Sequence, residues 1–215
     1  MIRNCSLDEI SDGKLYDIND MVKADCGDCK GCSACCQGMG QSIVLDPYDI
    51  YRLTTELNLS FEQLMAGAIE LNVVDGIVLP NLKMTGVDEK CYFLNDEGRC
   101  SIHSSRPGIC RLFPLGRYYE NDDFKYILQV NECKKKDRTK IKVKKWIDTY
   151  DIARNKEFIL EWHRYLKTMQ AKINECNDDE IIKNISMSTL VEFYLTPYDK
   201  ERCFYEQFYD RIKSE

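Results

Sequence analysis

Residues 26–36 read Cys26-Gly27-Asp28-Cys29-Lys30-Gly31-Cys32-Ser33-Ala34-Cys35-Cys36. Repeated two-residue gaps let successive thiolates converge on one centre, as in zinc knuckles and bacterial ferredoxins. Gly27, Gly31, Gly38 and Gly40 supply backbone able to wrap closely around a metal. Adjacent side chains on extended backbone point in opposite directions. The Cys35-Cys36 pair therefore suits two different metals, or two corners of a polynuclear cluster, better than a single four-thiolate ion. Reduced structural or storage thiols, or a disulfide framework, are the competing readings of the same run.

Nine of the twelve cysteines lie between Cys26 and Cys133. Downstream of the first run, Cys91, Cys100, Cys110 and Cys133 are separated by turn sequences and can return to it only through the fold. Together Cys29, Cys32, Cys35, Cys36, Cys91, Cys100, Cys110 and Cys133 make eight thiolates, enough for two four-thiolate sites or one large cluster. His103 and His163 are the only histidines, so a Cys₂His₂ site with local spacing is not available. Soft thiolates favour zinc or iron–sulfur over magnesium or calcium. The spacing does not choose between those two: the final Cys lacks the gap and trailing Pro of the ferredoxin motif, and the three-then-two spacing of most radical S-adenosylmethionine enzymes is missing. Cys5, Cys176 and Cys203 fit no pattern.

The remaining composition is ordinary: 215 residues, 44% hydrophobic, 31% charged, with a formal net charge of −6. No run approaches the roughly 20 apolar residues that span a bilayer. Acids come early in Met1–Glu9 without an apolar stretch, so no secretory signal is expected. A cytoplasmic location follows as an expectation, and there thiols stay reduced and serve metals or redox chemistry. Mild overall acidity argues against general nucleic-acid binding.

Local signals place the cysteines in a mixed fold. A short strand or hairpin is expected within residues 1–25, around Leu15, Tyr16 and Ile18, and another short strand at Ser42–Leu45. Asp46-Pro47 reads as the N-cap and first position of a helix bearing Ile50, Leu53 and Leu57. Ser60 and Gln63 form a capping box for a second helix with Phe61, Leu64, Met65 and Ile69. Val73 to Met84 reads as a hairpin turning at Pro80-Asn81, residues 91–102 as a tight turn, and Phe124–Val130 as a strand. Residues 146–173 read as one long helix, with Trp146 and Trp162 as core anchors and Leu166, Met169 and Ile173 in register. Acidic Asp178-Asp179-Glu180 opens the next helix, and residues 198–213 form a last amphipathic one beyond Pro197.

A second chemical stretch is Cys100-Ser101-Ile102-His103-Ser104-Ser105-Arg106-Pro107-Gly108-Ile109-Cys110-Arg111-Leu112-Phe113-Pro114. Arg106 and Arg111 flank Cys110, where a cation would lower a thiol pKa and offset a polythiolate charge; pairing with surface carboxylates is the plainer alternative. His103 reads as a packed or outer-shell imidazole rather than a ligand. Pro107 and Pro114 would hold the loop around Cys110.

These motifs resemble the bacterial and archaeal cysteine-cluster family described as zinc- or iron-chelating, the YkgJ type. Its C-x2-C-x2-C-C hallmark is matched by Cys29, Cys32, Cys35 and Cys36. Its second hallmark is matched by Cys100, Ile102, His103, Arg106, Pro107, Cys110, Arg111, Phe113 and Pro114. Asp46, Asp49, Ile50, Cys91, Phe93 and Leu94 extend the resemblance over roughly residues 26–135, with Cys26 as an extra cysteine beside the pattern. What the resemblance implies is a metal or iron–sulfur centre held by the eight cysteines. Flagellin lysine N-methylase is a related branch that implies an iron–sulfur cluster and S-adenosylmethionine. This chain is short for that branch and has no Gly-rich methyltransferase fingerprint.

Lys134–Lys145 carries eight basic residues and one acid. It reads as a solvated segment, or as a dock for an acidic protein or RNA, or as neutralisation of the thiolates. The stripe Phe193, Tyr194, Tyr198, Phe204, Tyr205, Phe208 and Tyr209 reads as core or interface. No G-x-S-x-G elbow, P-loop or H-E-x-x-H helix is present.

The expectation is an α+β protein: an N-terminal segment 1–25, a cysteine-rich metal-binding module 26–135 of short strands and helices, and an α-helical C-terminal region 136–215. The cofactor would be an iron–sulfur cluster, of the [4Fe–4S] kind, or zinc, with Arg106 and Arg111 outside the ligand shell. Three roles are compatible. One is a redox or modifying factor acting on a protein or small molecule. Another is a structural zinc protein whose helical tail binds a protein partner. The third is a metal carrier or store.

Overall fold

The computed structural model describes residues 6–27, 29, 32–175 and 178–213. Cys5, Gly31 and Cys176 lie outside the described residues. Helix α1 (Leu7–Ile10) and strand β1 (Met21–Asp25) come before the cysteine run, and α2 (Pro47–Leu57) and α3 (Phe61–Met65) follow it. Strands β2 (Ile69–Val74), β3 (Ile77–Leu82), β4 (Met84–Thr85) and β5 (Lys90–Cys91) lead to α4 (Gly108–Leu112). Then come β6 (Leu115–Glu120), β7 (Asp123–Leu128), β8 (Thr139–Lys142) and the helices α5 (Val143–Ile147), α6 (Ile152–Glu175), α7 (Asp179–Leu190) and α8 (Phe204–Ile212). Helix and strand are mixed as expected, with a helical C-terminal region. Among the described residues no helix is long and apolar enough to cross a membrane.

Strands pair in antiparallel twos: β1 with β8, β2 with β3, β4 with β5 and β6 with β7. The first strand is thus Met21–Asp25, C-terminal to the Leu15–Ile18 expected, and its partner lies more than a hundred residues away. Its burial alternates, with Val22 and Ala24 inward, whereas Leu15 is exposed. Ser42–Leu45 forms a bridge rather than a strand, with Val44 opposite Asn81 and Leu45 N–H donating to Pro80 O at 2.9 Å.

Both predicted helix starts hold. The Asp46 carboxylate accepts from Asp49 N–H with Pro47 at the first turn, and Ser60 accepts from Gln63 N–H. Ile69, expected on the second helix, begins β2 instead, because α3 stops at Met65. The hairpin turns at Asp75-Gly76, not at Pro80-Asn81: both turn residues have positive φ, +50° and +89°, which suits the right-handed twist of a tight hairpin. Pro80 lies inside β3 opposite Leu71. The expected long helix breaks after Ile147, where Asp148 and Asp151 take φ of +46° and +45°, giving α5 and α6. The last helix starts at Phe204 rather than 198. The Gln207 amide holds the preceding loop, donating to the carbonyls of Asp199, Arg202 and Cys203.

One continuous core links the cysteine-bearing half to the helical half. The aromatic stripe is mostly interior: Phe193, Tyr194, Phe204, Tyr205 and Phe208 are buried. Phe158 meets Phe208 at 4.7 Å edge to face, and Tyr48 of α2 meets Phe204 at 5.0 Å. Tyr194 Oη donates to Leu45 O at 3.0 Å, tying the tail to the segment that leads into α2. Edge-to-face rings of this kind contribute about 0.5–1.5 kcal/mol each beyond their buried area.

Candidate metal centre

The cysteine run begins where β1 ends. Asp25 Oδ1 accepts from Gly27 N–H at 2.9 Å, and Gly27 and Cys29 both take left-handed φ, +68° and +57°. A 3₁₀ turn, Ala34–Cys36, carries the adjacent pair. Just beyond, Gln37 bridges to Lys90, and Gly38 N–H donates to Glu89 O at 3.0 Å. That contact brings the run against the β4–β5 hairpin, whose last residue is the buried Cys91. Leu94 then pairs with Cys100 across the 95–98 turn, where Gly98 has φ +70°.

Cys110 sits on α4, and α4 is held at both ends. At its N-terminus Gly108 N–H donates to Asp49 Oδ1 at 2.7 Å. At its C-terminus the Trp146 indole N–H lies 3.2 Å from both Leu112 O and Phe113 O. Pro107 is the N-cap, and the Phe113–Pro114 peptide is cis.

Arg111, only 6% exposed, faces backbone. Its guanidinium donates to Arg106 O at 3.2 Å, Asp148 O at 2.8 Å and Ser104 O. Arg52 donates to the same Ser104 carbonyl at 2.7 Å. Burial, with Arg52 and Arg106 nearby, pulls the Arg111 pKa down to about 10, which leaves it charged at neutral pH. Arg106 faces the thiols: its charge bears on Cys29, Cys35 and Cys100, and its Nη1 lies 2.9 Å from His103 Nε2. His103 is therefore a partner of Arg106. His163 stacks on Tyr119 at 3.9 Å between ring centres.

Cys35 is the electrostatic hub. Its charge bears on Cys29, Cys36, Cys91, Cys100 and Cys110, thiols carried by the run, the hairpin, the turn and α4. A hydrogen bond from Cys36 holds Cys35 down to about 7 against burial. The same bond, burial and the surrounding thiols push Cys36 up. Burial raises Cys91, Cys100 and, most strongly, Cys110. The backbone at Phe93 and Ile102 opposes this at Cys91 and Cys100 respectively, pulling each thiol back down. Hydrogen bonds to sulfur favour the thiolate and tune metal–sulfur centres.

Cys32 and Cys133 are half-buried. Cys32 lines an open cleft of about 540 Å³ together with Ser33, Gln37, Asp88 and Lys134, the residue after Cys133. The basic run forms β8 and the start of α5, with Lys140, Lys142, Lys144 and Lys145 exposed.

The donor set suits zinc or iron: it is made of thiols, with the backbone at Phe93 and Ile102 and the Arg106 charge favouring the thiolate form. Among the described residues no group of three or more Cys, His, Asp or Glu side chains is placed to hold a metal ion. Two features escaped the sequence reading. Asp49 links α2 to the cysteine-bearing α4 across 59 residues, a contact with no local signal beyond the acid in the Asp-x2-Asp box. Cys26, an extra by spacing, has its sulfur 3.6 Å from that of Cys29.

No curated protein and no solved structure matches the chain. One family model does match, that of CxxCxxCC, described as a "putative zinc- or iron-chelating domain", over residues 28–138. This stretch is just over half of the chain and contains the cysteine run from Cys29 onward, the hairpin, the turn, α4 and Cys133. The chain belongs to the CxxCxxCC family of zinc- or iron-chelating domains.

Proposed function

We propose that the protein holds an iron–sulfur cluster or zinc through Cys29, Cys32, Cys35, Cys36, Cys91, Cys100, Cys110 and Cys133. The observation that carries this reading is the family match over residues 28–138, which takes in all eight cysteines, together with the backbone contacts that lay residues 37 and 38 against the β4–β5 hairpin carrying Cys91. Gathering ionised thiols costs free energy through mutual repulsion and desolvation. A divalent or polynuclear cation removes that cost, because it binds thiolates rather than thiols. Arg106 balances part of the remaining charge. Iron–sulfur would supply electron transfer at such a site; zinc would supply a cross-link or a Lewis acid.

An open cleft beside Cys32 would give a redox partner or small substrate access to that thiol. The test is anaerobic purification, metal and sulfide analysis, and a visible spectrum. Iron with acid-labile sulfide and broad absorbance near about 400 nm identifies a cluster. Zinc in a colourless protein identifies the second form. A folded protein with neither metal defeats the proposal.

A further inference from the structure

We infer that Cys26 is a ninth thiolate of this centre and shares one metal ion with Cys29. The inference rests on the metal-centre reading and extends it to a residue that lies outside the matched 28–138 stretch. The two sulfurs stand 3.6 Å apart. Two thiolates on one tetrahedral ion, each at a metal–sulfur distance of about 2.3 Å, are separated by about 3.8 Å. The observed separation is close to that value and far beyond the about 2.05 Å of a disulfide.

Backbone contacts fix where the pair lies. Cys26 directly follows β1, which is fastened to β8 through Met21–Lys142, Val22–Ile141 and Asp25–Thr139. Gly27 takes φ +68°, and its amide is held by Asp25. Cys29 takes φ +57°, a conformation that costs a non-glycine residue roughly 1–2 kcal/mol. A C-x2-C arm that brings two sulfurs to one ion is the local geometry of zinc knuckles. Here it occurs one repeat earlier than the family pattern, so Cys26-x2-Cys29 forms the first arm and Cys32 begins the next.

The experiment uses the full chain, purified anaerobically, then stripped and reloaded with cobalt(II) as a zinc probe. Cys26→Ser, Cys29→Ser and Cys203→Ser are compared with wild type. Cys203 serves as the outside control, since its sulfur accepts from Arg154 at 3.4 Å in the helical region. Sulfur-to-cobalt charge-transfer absorbance scales with the number of cobalt–sulfur bonds. Cys26→Ser is expected to lower it by about a quarter for the affected four-coordinate ion, as Cys29→Ser does, and to weaken retention against a chelator by tenfold or more. Cys203→Ser leaves both unchanged. Full absorbance and retention in Cys26→Ser, alongside loss in Cys29→Ser, overturns the inference and spares the metal centre.

A wild type that takes up neither zinc, iron nor cobalt defeats the underlying function instead. Should Cys26→Ser fail to fold, alkylation of the wild type with mass-spectrometric mapping decides. Metal must protect Cys26 as strongly as Cys29; alkylation of Cys26 at the same rate with and without metal overturns the inference.

Discussion

Arg111 stands one residue from Cys110, yet its guanidinium joins three backbone carbonyls, those of Ser104, Arg106 and Asp148. It therefore fixes the loop before α4 to the loop after α5, and so fixes where α4 presents Cys110. Charge-assisted hydrogen bonds each contribute about 1.5–3 kcal/mol, and buried carbonyls left unpaired carry a further penalty. Arg111→Met keeps the apolar stem and removes all the donors. It is expected to lower stability by about 3–5 kcal/mol, or roughly 10 °C in Tm for a chain of this size. Thermal unfolding of the metal-free protein checks this; a change below about 0.5 kcal/mol, ordinary for a surface substitution, would show that the carbonyls do not depend on it. Arg106, its neighbour in the motif, differs because its charge reaches Cys29, Cys35 and Cys100. Identical residue types in one motif thus have different physical work, and only their partners distinguish them.

At the scale of elements, the start of α2 carries a pH dependence. Asp46 caps the helix, and burial together with the Asp49 carboxylate pushes it up to about 8; burial likewise raises Asp49. An unfolded Asp titrates near about 3.9. Between those values the folded state keeps a proton that the unfolded state has released. Stability therefore falls as pH rises from about 4 to about 8 and levels off above. Asp46→Asn retains a capping oxygen, since Asn and Asp cap equally well, and removes the titration. Relative to wild type it is expected to gain stability progressively over that window, reaching at least about 1 kcal/mol at pH 8. Urea unfolding of both proteins between pH 5 and 8 measures the difference; parallel curves would show that Asp46 is ionised at no cost.

Elements also show how far local patterns carry. The capping residues Asp46 and Ser60 mark their helices correctly, because a cap is satisfied within a few residues, and the acids Asp178–Glu180 stand at the start of α7 as read, with Asp178 its N-cap. The β2–β3 turn was misplaced because Pro80-Asn81 looks like a turn, whereas Asp75-Gly76 meets the positive-φ requirement. Pro80 is accommodated in a strand whose partner residue is Leu71 and whose carbonyl accepts from Leu45.

Across the whole molecule, the thiols come from segments joined by one core, while the aromatic packing of α6, α8 and the π-helical segment Val191–Leu195 that continues α7 contains none of the proposed ligands. A bound metal would cross-link residues 26–36 to 91–110 and, through Cys133, to the segment before β8. Stripping the metal with a strong chelator is expected to lower Tm by on the order of 10 °C, since only the folded chain presents the complete site. Most far-UV helical signal should persist. Amide hydrogen exchange should accelerate at residues 26–38 and 84–112 and stay slow in α6 around Phe158 and Trp162. Uniform loss of protection in both regions would mean that the helical half depends on the centre as strongly as the cysteine half.

Sequence by itself determined the chemistry: thiolate spacing, scarcity of histidine and the two cysteine motifs point to zinc or iron, and capping patterns mark where several helices begin. These follow from short-range geometry, in which residues two to four apart are constrained by the backbone alone. Tertiary structure decided that the run lies against the β4–β5 hairpin, that the Arg106 charge bears on the thiols while Arg111 serves carbonyls, that Asp49 holds α4, and that Cys26 stands beside Cys29. The first three depend on contacts between residues far apart in the chain, and the last on the left-handed backbone at Gly27 and Cys29. No local pattern encodes the distance closed by a core.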